Sequence, residues 1–238
     1  MAQQEFLLTD GRPKVVGSFG GMDDLCGTDA EAVRASCDLA EIRLDLILDA
    51  SVLVDAGLWR HLQGIPLLFT ARRQDEGGAR ALSAAERSGL LETALDQAAC
   101  IDIEVASIGE MAGFLKSLEI RGIPWIASFH DFEKLPDTAA LQAAARRAKD
   151  AGASVFKAAA KLHGPADIAR LAEFQLADHG LPVATMGMGP LAPVSRLLCA
   201  QCGSLLNYGY LGNTPTAPGQ WDAALLKETI ARLAPFRL

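Results

Sequence analysis

No apolar run in this chain reaches the roughly 20 residues that a membrane-spanning helix needs. Positive charge is also short: 22 Lys and Arg stand against 29 Asp and Glu, leaving a formal charge of -7. A nucleic-acid or anionic-membrane surface needs the opposite balance, so neither partner is expected. The opening stretch MAQQEFLLTDGRP lacks the basic-then-apolar layout of a secretory signal, and a cytoplasmic location is expected. The five cysteines (Cys26, Cys37, Cys100, Cys199, Cys202) are scattered and odd in number, which does not make a disulfide framework. Cys199 and Cys202 form a CxxC, but two ligands fall short of a structural zinc site, and ordinary packing is expected there. No GxGxxG follows the first apolar run, where the sequence reads VVGSFGGMDD, and there is no GxxxxGK[ST] loop.

What the chain does have is 50% hydrophobic residues across 238 positions, enough for one large core. Short apolar runs recur: KVVGSF, LAEIRLDLI, PLLFTAR, CIDIEVA, IPWIASFHDF, ASVFKAA, LPVATMG and SLLNYGY. Each has strand length and is rich in Val, Ile, Leu or aromatics. Helical patterns lie between most of them. SAAERSGLLETALDQA opens with Ser83 and Glu86 in capping-box spacing. PDTAALQAAARRAKDAG and PADIARLAEFQLADHG start at Pro and end at Gly, and WDAALLKETIARLAPF closes the chain. Strands alternating with helices argue for parallel βαβ units. Eight such units make a (β/α)8 TIM barrel, here a single domain over residues 1–238; a doubly wound sheet is the alternative.

Barrel enzymes carry their chemistry at the C-terminal ends of the strands. Polar residues fall there in unusual number. Glu41, Arg43 and Asp45 alternate in EIRLD, which puts all three on one strand face. Thr70 and Arg72 end the third strand and Glu76 follows in its loop. His130 and Asp131 end the fifth, Lys157 lies in the sixth, and Arg196 follows the seventh. LGNTPTAPGQ, after the eighth, offers Thr216 and Gln220, and Leu211 to Gln220 is the expected lid. Taken singly, each has a plain structural reading: an ion pair in EIRLD, a hydrogen-bonded histidine, loop punctuation around Arg196. Taken together, so many cations meeting at one mouth of an acidic protein point to a small anionic substrate, since desolvated charges need partners.

ASVFKAAAKLHG holds two lysines. Strand periodicity puts Lys157 and Lys161 on the same inner face, with Lys157 deeper and small alanines around it. Burial and nearby cations lower a lysine pKa, and a neutral amine can form a Schiff base with a carbonyl. His130, one strand over, is a suitable acid–base group, and Glu76 can orient it. The plain alternative is a lysine that snorkels to solvent.

These motifs resemble the type I 3-dehydroquinate dehydratases. EIRLDLI is similar to that family's Glu-x-Arg-x-Asp strand, PLLFTARRQDEGG to its LFTxRxxxEGG stretch, and SFHDF to its HDF motif. VFKAA is similar to its Lys-x-Ala strand, MGPLAPVSR to its MGxxGxxSR loop, and CGSLLNYGYLGNTPTAPGQ to its SAPGQ segment. The resemblance implies a barrel, commonly a homodimer, that converts the anionic keto acid 3-dehydroquinate to 3-dehydroshikimate without a metal or organic cofactor. It implies Lys157 as the Schiff-base residue, His130 as acid–base and Glu76 as its partner. It further implies Glu41, Arg43 and Arg72 around the ring hydroxyls, and Arg196, Thr216 and Gln220 around the carboxylate and C1 hydroxyl.

The chain departs from the family pattern at Thr216 (a serine there), Ala192 (a glycine), Asn207 (a threonine) and Lys161 (a neutral residue). Ala192 is expected to be strained if its position needs positive φ, and Lys161 is a possible modulator of the site. Two other functions remain open at this stage. One is a class I aldolase-like enzyme, which shares the lysine chemistry but lacks a reason for the SFHDF and TAPGQ motifs. The other is a barrel that keeps its pocket only to bind a ligand.

Overall fold

The computed structural model describes residues 11–48 and 57–236. Its strands are β1 (Lys14–Phe19), β2 (Leu39–Arg43), β3 (Leu67–Thr70), β4 (Ala98–Glu104), β5 (Trp125–Asp131), β6 (Val155–Lys161), β7 (Val183–Met188) and β8 (Leu206–Leu211). They form one eight-stranded sheet in the order β7-β6-β5-β4-β3-β2-β1-β8. Every ladder in it is parallel. Between the strands run α1 (Met22–Gly27), α2 (Ala30–Ser36), α3 (Leu44–Ile47), α4 (Ala84–Glu92), α5 (Ala112–Arg121), α6 (Thr138–Asp150), α7 (Pro165–Leu176), α8 (Ala192–Gln201) and α9 (Ala223–Leu233). This is the (β/α)8 barrel. Among the described residues no helix is long and apolar enough to cross a membrane.

Strand periodicity divides the core in two. Val15, Ile42, Phe69, Ile101 and Phe156 point outward and pack under the helices. Val16, Leu39, Leu68, Cys100, Ile126, Val155, Ala184 and Leu206 point inward and fill the barrel. A strand covered on both faces is apolar on both, which is why these runs read as short continuous apolar segments.

The helix ends follow their local chemistry. Ser83 and Glu86 form the expected capping box at α4. Pro165 opens α7, where a missing N–H costs nothing. At α6 the cap is Asp137, whose carboxylate accepts from Ala140 N at 2.7 Å, so the helix starts after Pro136. Ala192 opens α8 with no positive φ, and the backbone strain expected of it is absent. The left-handed residue of that loop is Gly189. Cys199 is buried in α8, Cys202 caps its end, and both are free thiols.

The barrel closes without a regular ladder between β7 and β8. Leu205 N donates to Val183 O at 3.0 Å. Thr185 N donates to the Ser204 hydroxyl at 3.2 Å. The Asn207 amide donates to Lys14 O at 3.3 Å and Ser204 O at 3.1 Å, tying the base of β8 to β1. Ser204 is fully buried, so no water can replace its hydroxyl at Thr185 without rearrangement. Ser204→Ala is therefore expected to destabilise the fold by about 1–3 kcal/mol, the cost of an orphaned buried N–H. Urea denaturation measures this; an unchanged midpoint contradicts the role given to the seam.

Candidate active site

Glu41, Arg43, Arg72, Glu76, His130, Lys157, Arg196, Thr216 and Gln220 line one cavity at the C-terminal end of the barrel. Lys161 is not part of its lining. Burial along β6 runs through Ala160 and stops at Lys161, which is exposed at the strand's end. The expectation that both lysines point into the interior is corrected for this reason. The alternation expected through Asp45 is corrected too: β2 ends at Arg43, and Asp45 lies in the helical turn of α3.

Lys157 is 4% exposed. Its Nζ lies 3.2 Å from Asp102 Oδ2. Burial pushes its pKa below the usual lysine value; Asp102 opposes that shift, and Arg72 adds to it. The amine is thus made easier to deprotonate while remaining anchored. Its strand partner across β5 is Ser128, and His130 follows two residues on along the same inward face.

Glu76 holds His130 twice. Its Oε2 accepts from the His130 backbone N at 2.9 Å and lies 3.0 Å from Nδ1. With Nδ1 engaged, Nε2 is the nitrogen left to exchange a proton with a ligand. Burial, with Arg72 and Lys157 adding to it, pushes the imidazolium well below its usual pKa, so the ring is neutral. Burial likewise pushes the Glu76 carboxyl up to about 7, against the pull of Arg72.

The loop carrying Glu76 has a backbone reason for its two glycines. Gly77 adopts φ +89°, and an added Cβ would lie 2.6 Å from Phe132 Cζ. At Gly78 a Cβ would sit 2.3 Å from Arg72 O. Asp45 pins the same loop, accepting from Arg72 N at 3.1 Å and Ala79 N at 3.2 Å. Burial alone would raise the Asp45 pKa, but the two-toothed Arg43 fork, at 2.9 and 2.7 Å, holds it down.

Below this loop lies a buried charge cluster. Arg72 Nη1 lies 2.9 Å from Asp102 Oδ1 and 3.0 Å from Glu104 Oε1, and donates to Ser128 Oγ at 2.6 Å. Arg87, from α4, meets Glu104 at 2.8 Å. Glu41 accepts from Thr70 at 2.7 Å and from the Ser18 hydroxyl.

Arg196 is different. It is 2% exposed, and among the described residues no carboxylate pairs with it. Nη1 donates to Tyr208 O at 2.6 Å, and Nε has no partner. Burial pushes its pKa down to about 10. A buried, unpaired guanidinium in a cavity wall is a seat for an anion. Beside it, Gln220 Oε1 accepts from both the N and the Oγ1 of Thr216, each at 2.8 Å. That leaves the Gln220 amide N–H group free to meet a ligand.

Asp131, expected at the mouth, instead accepts from Glu133 N and Lys134 N and shapes the turn after β5. Sequence reasoning missed Asp102, Glu104, Ser128 and Arg87. The first two were within reach: CIDIEVA alternates Asp and Glu with the same period of two that singled out EIRLD. Arg87 carried no signal, because it reaches the site from a helix.

The family model for type I 3-dehydroquinase matches residues 23–234. A 3-dehydroquinate dehydratase of Methanothrix thermoacetophila is 34% identical over 208 residues, covering 87% of this chain and 86% of the relative. The crystal structure of 3-dehydroquinate dehydratase from Geobacillus kaustophilus superposes with a TM-score of 0.85 at 28% identity, covering 95% of this chain and 93% of that one. The type I enzyme from Clostridium difficile, solved with covalently modified comenic acid, gives 0.81 at 26% identity, covering 95% and 94%. Sequence match, fold and the order of the motifs along the strands agree, and this chain belongs to the type I 3-dehydroquinase family.

Proposed function

We propose that this chain dehydrates 3-dehydroquinate to 3-dehydroshikimate through a Schiff base on Lys157. The observation that carries the reading is a buried lysine of lowered pKa lining one cavity with a glutamate-held histidine and an unpaired arginine. Arg196 takes the substrate carboxylate, and Gln220 and Thr216 hold the adjoining C1 hydroxyl. Glu41, Arg43 and Arg72 surround the ring hydroxyls.

The chemistry then runs in balanced steps. The neutral Lys157 amine adds to the C3 ketone, the carbinolamine hydroxyl takes up one proton from solvent and leaves as water, and a cationic iminium forms. That charge acidifies C2. His130 Nε2 removes the C2 proton, leaving a neutral enamine and an imidazolium held by Glu76. The enamine expels the C1 hydroxyl, which takes the proton back from His130 and leaves as water. The conjugated iminium that remains is hydrolysed by water, giving the enone product and the lysine ammonium, which returns its proton to solvent. Lys161, at the rim, enters only as a charge that draws the anion toward the mouth. A homodimer belongs to the same reading through the family resemblance, and a cytoplasmic location is proposed alongside it.

Three outcomes test it. Lys157→Ala should abolish formation of the enone, followed by its ultraviolet absorbance; retained turnover contradicts the role of Lys157. His130→Ala should lower kcat by about 10²–10⁴-fold with little change in substrate binding. Arg196→Leu should raise KM by roughly 10–100-fold, the loss of a charged hydrogen-bonded contact, with a smaller effect on kcat.

The pH profile follows from Glu76. Below about 7 its carboxyl takes up a proton. It then becomes a donor to Nδ1 and drives the ring proton to Nε2, the wrong tautomer for a base. kcat/KM is expected to fall as pH drops through about 7, and Glu76→Gln to lower kcat and remove that limb. A limb that persists unchanged in Glu76→Gln assigns it to another group.

A further inference from the structure

The Lys157 nitrogen does not only face an acid. It lies 4.0 Å from the centroid of the Tyr208 ring, which lines the same cavity from β8. Tyr208 is 4% exposed, and its carbonyl is held by Arg196 Nη1 at 2.6 Å. Its hydroxyl has no hydrogen-bond partner among the described residues. What Tyr208 presents to Lys157 is therefore a π face. Burial, reinforced by Asp102 and Glu41, holds the phenol protonated well above its usual range, so the ring is neutral.

An aromatic face attracts a cation within about 6 Å, and the attraction grows when water is excluded. The Lys157 nitrogen is cationic as the ammonium, as the first iminium and again as the conjugated iminium after the C1 hydroxyl leaves. Asp102 also stabilises that charge, but its carboxylate is shared with Arg72 and Ser128. The ring adds stabilisation while offering no basic atom to take the iminium proton, and a neutral imine is a poor electron sink. The geometry points to Tyr208 as a further catalytic residue, whose ring face stabilises positive charge on the Lys157 nitrogen and favours the protonated iminium. This inference rests on Lys157 being the Schiff-base residue.

The groups facing Lys157 are Asp102 and Glu41, which favour its charge, and Arg72, which opposes it. His130, on the adjoining strand, is neutral, and Arg196 and Arg43 line the same cavity. None of these changes when the ring at 208 is altered. The test is a series at that position: Tyr208→Phe, Tyr208→Leu, and phenylalanines carrying increasing numbers of ring fluorines. Fluorination drains the π face while keeping the ring's shape, so the series stays decisive even if Tyr208→Leu fails to fold.

The pH dependence of Lys157 acetylation by acetic anhydride, mapped by mass, reads the free amine. Its apparent pKa should fall stepwise with fluorination, by about one pH unit at full effect. Above that pKa, kcat/KM should fall roughly ten-fold in parallel. Tyr208→Phe should restore most of what Tyr208→Leu loses. A flat series overturns the assignment of Tyr208, provided that Lys157→Ala is inactive. An active Lys157→Ala overturns the Schiff-base reading, and this inference with it.

Discussion

Arg72 is the charge around which the site is built. Its guanidinium touches Asp102, Glu104 and Ser128, and its backbone N–H reaches Asp45. Burial would lower its pKa, but Asp102 and Glu104, with Glu41, raise it above the ordinary arginine value, so it is a permanent cation. Burial depresses the pKa of both Lys157 and His130, and that cation adds to the shift; these are the two groups that the proposed chemistry needs neutral. A buried ion cluster is weak evidence for stability, because desolvation offsets much of the attraction. Here its effect is to set protonation states. Removing one partner would leave buried charges uncompensated and shift every neighbour at once.

The barrel makes such a cluster possible. Parallel pairing across β1 to β7 brings inward residues of successive strands to one level, and each contributes a side chain every second residue. Lower levels are apolar, from Val16, Leu39, Leu68 and Val155. Upper levels carry the ions. The change occurs within single strands: Leu39 gives way to Glu41, Cys100 to Asp102, and Val155 to Lys157. A dry floor under the ions keeps their mutual influence strong. Arg196 stands apart from the self-paired cluster, and its unmet hydrogen-bonding capacity matches a ligand rather than another side chain.

Much of this was legible in the sequence. Repeating strand and helix patterns identified the barrel, because each strand run was short and three of the four helical patterns carried a capping box or Pro/Gly punctuation. Period two found Glu41, Arg43 and Lys157, and position at a strand end found His130. Three things were not legible. The end of β2 at Arg43 depends on a tertiary need, since Asp45 turns to hold the loop carrying Glu76. The exposure of Lys161 depends on where β6 clears the rim, which alternation cannot give. Arg87 arrives from α4, so no strand pattern marks it.

The central claim is that the Lys157 nitrogen becomes covalently bonded to the substrate's former ketone carbon. Borohydride reduction during turnover of 3-dehydroquinate, followed by intact mass and peptide mapping, measures that bond directly. The account predicts one stable adduct, on Lys157. An adduct confined to another lysine, or none at all while product forms, contradicts it.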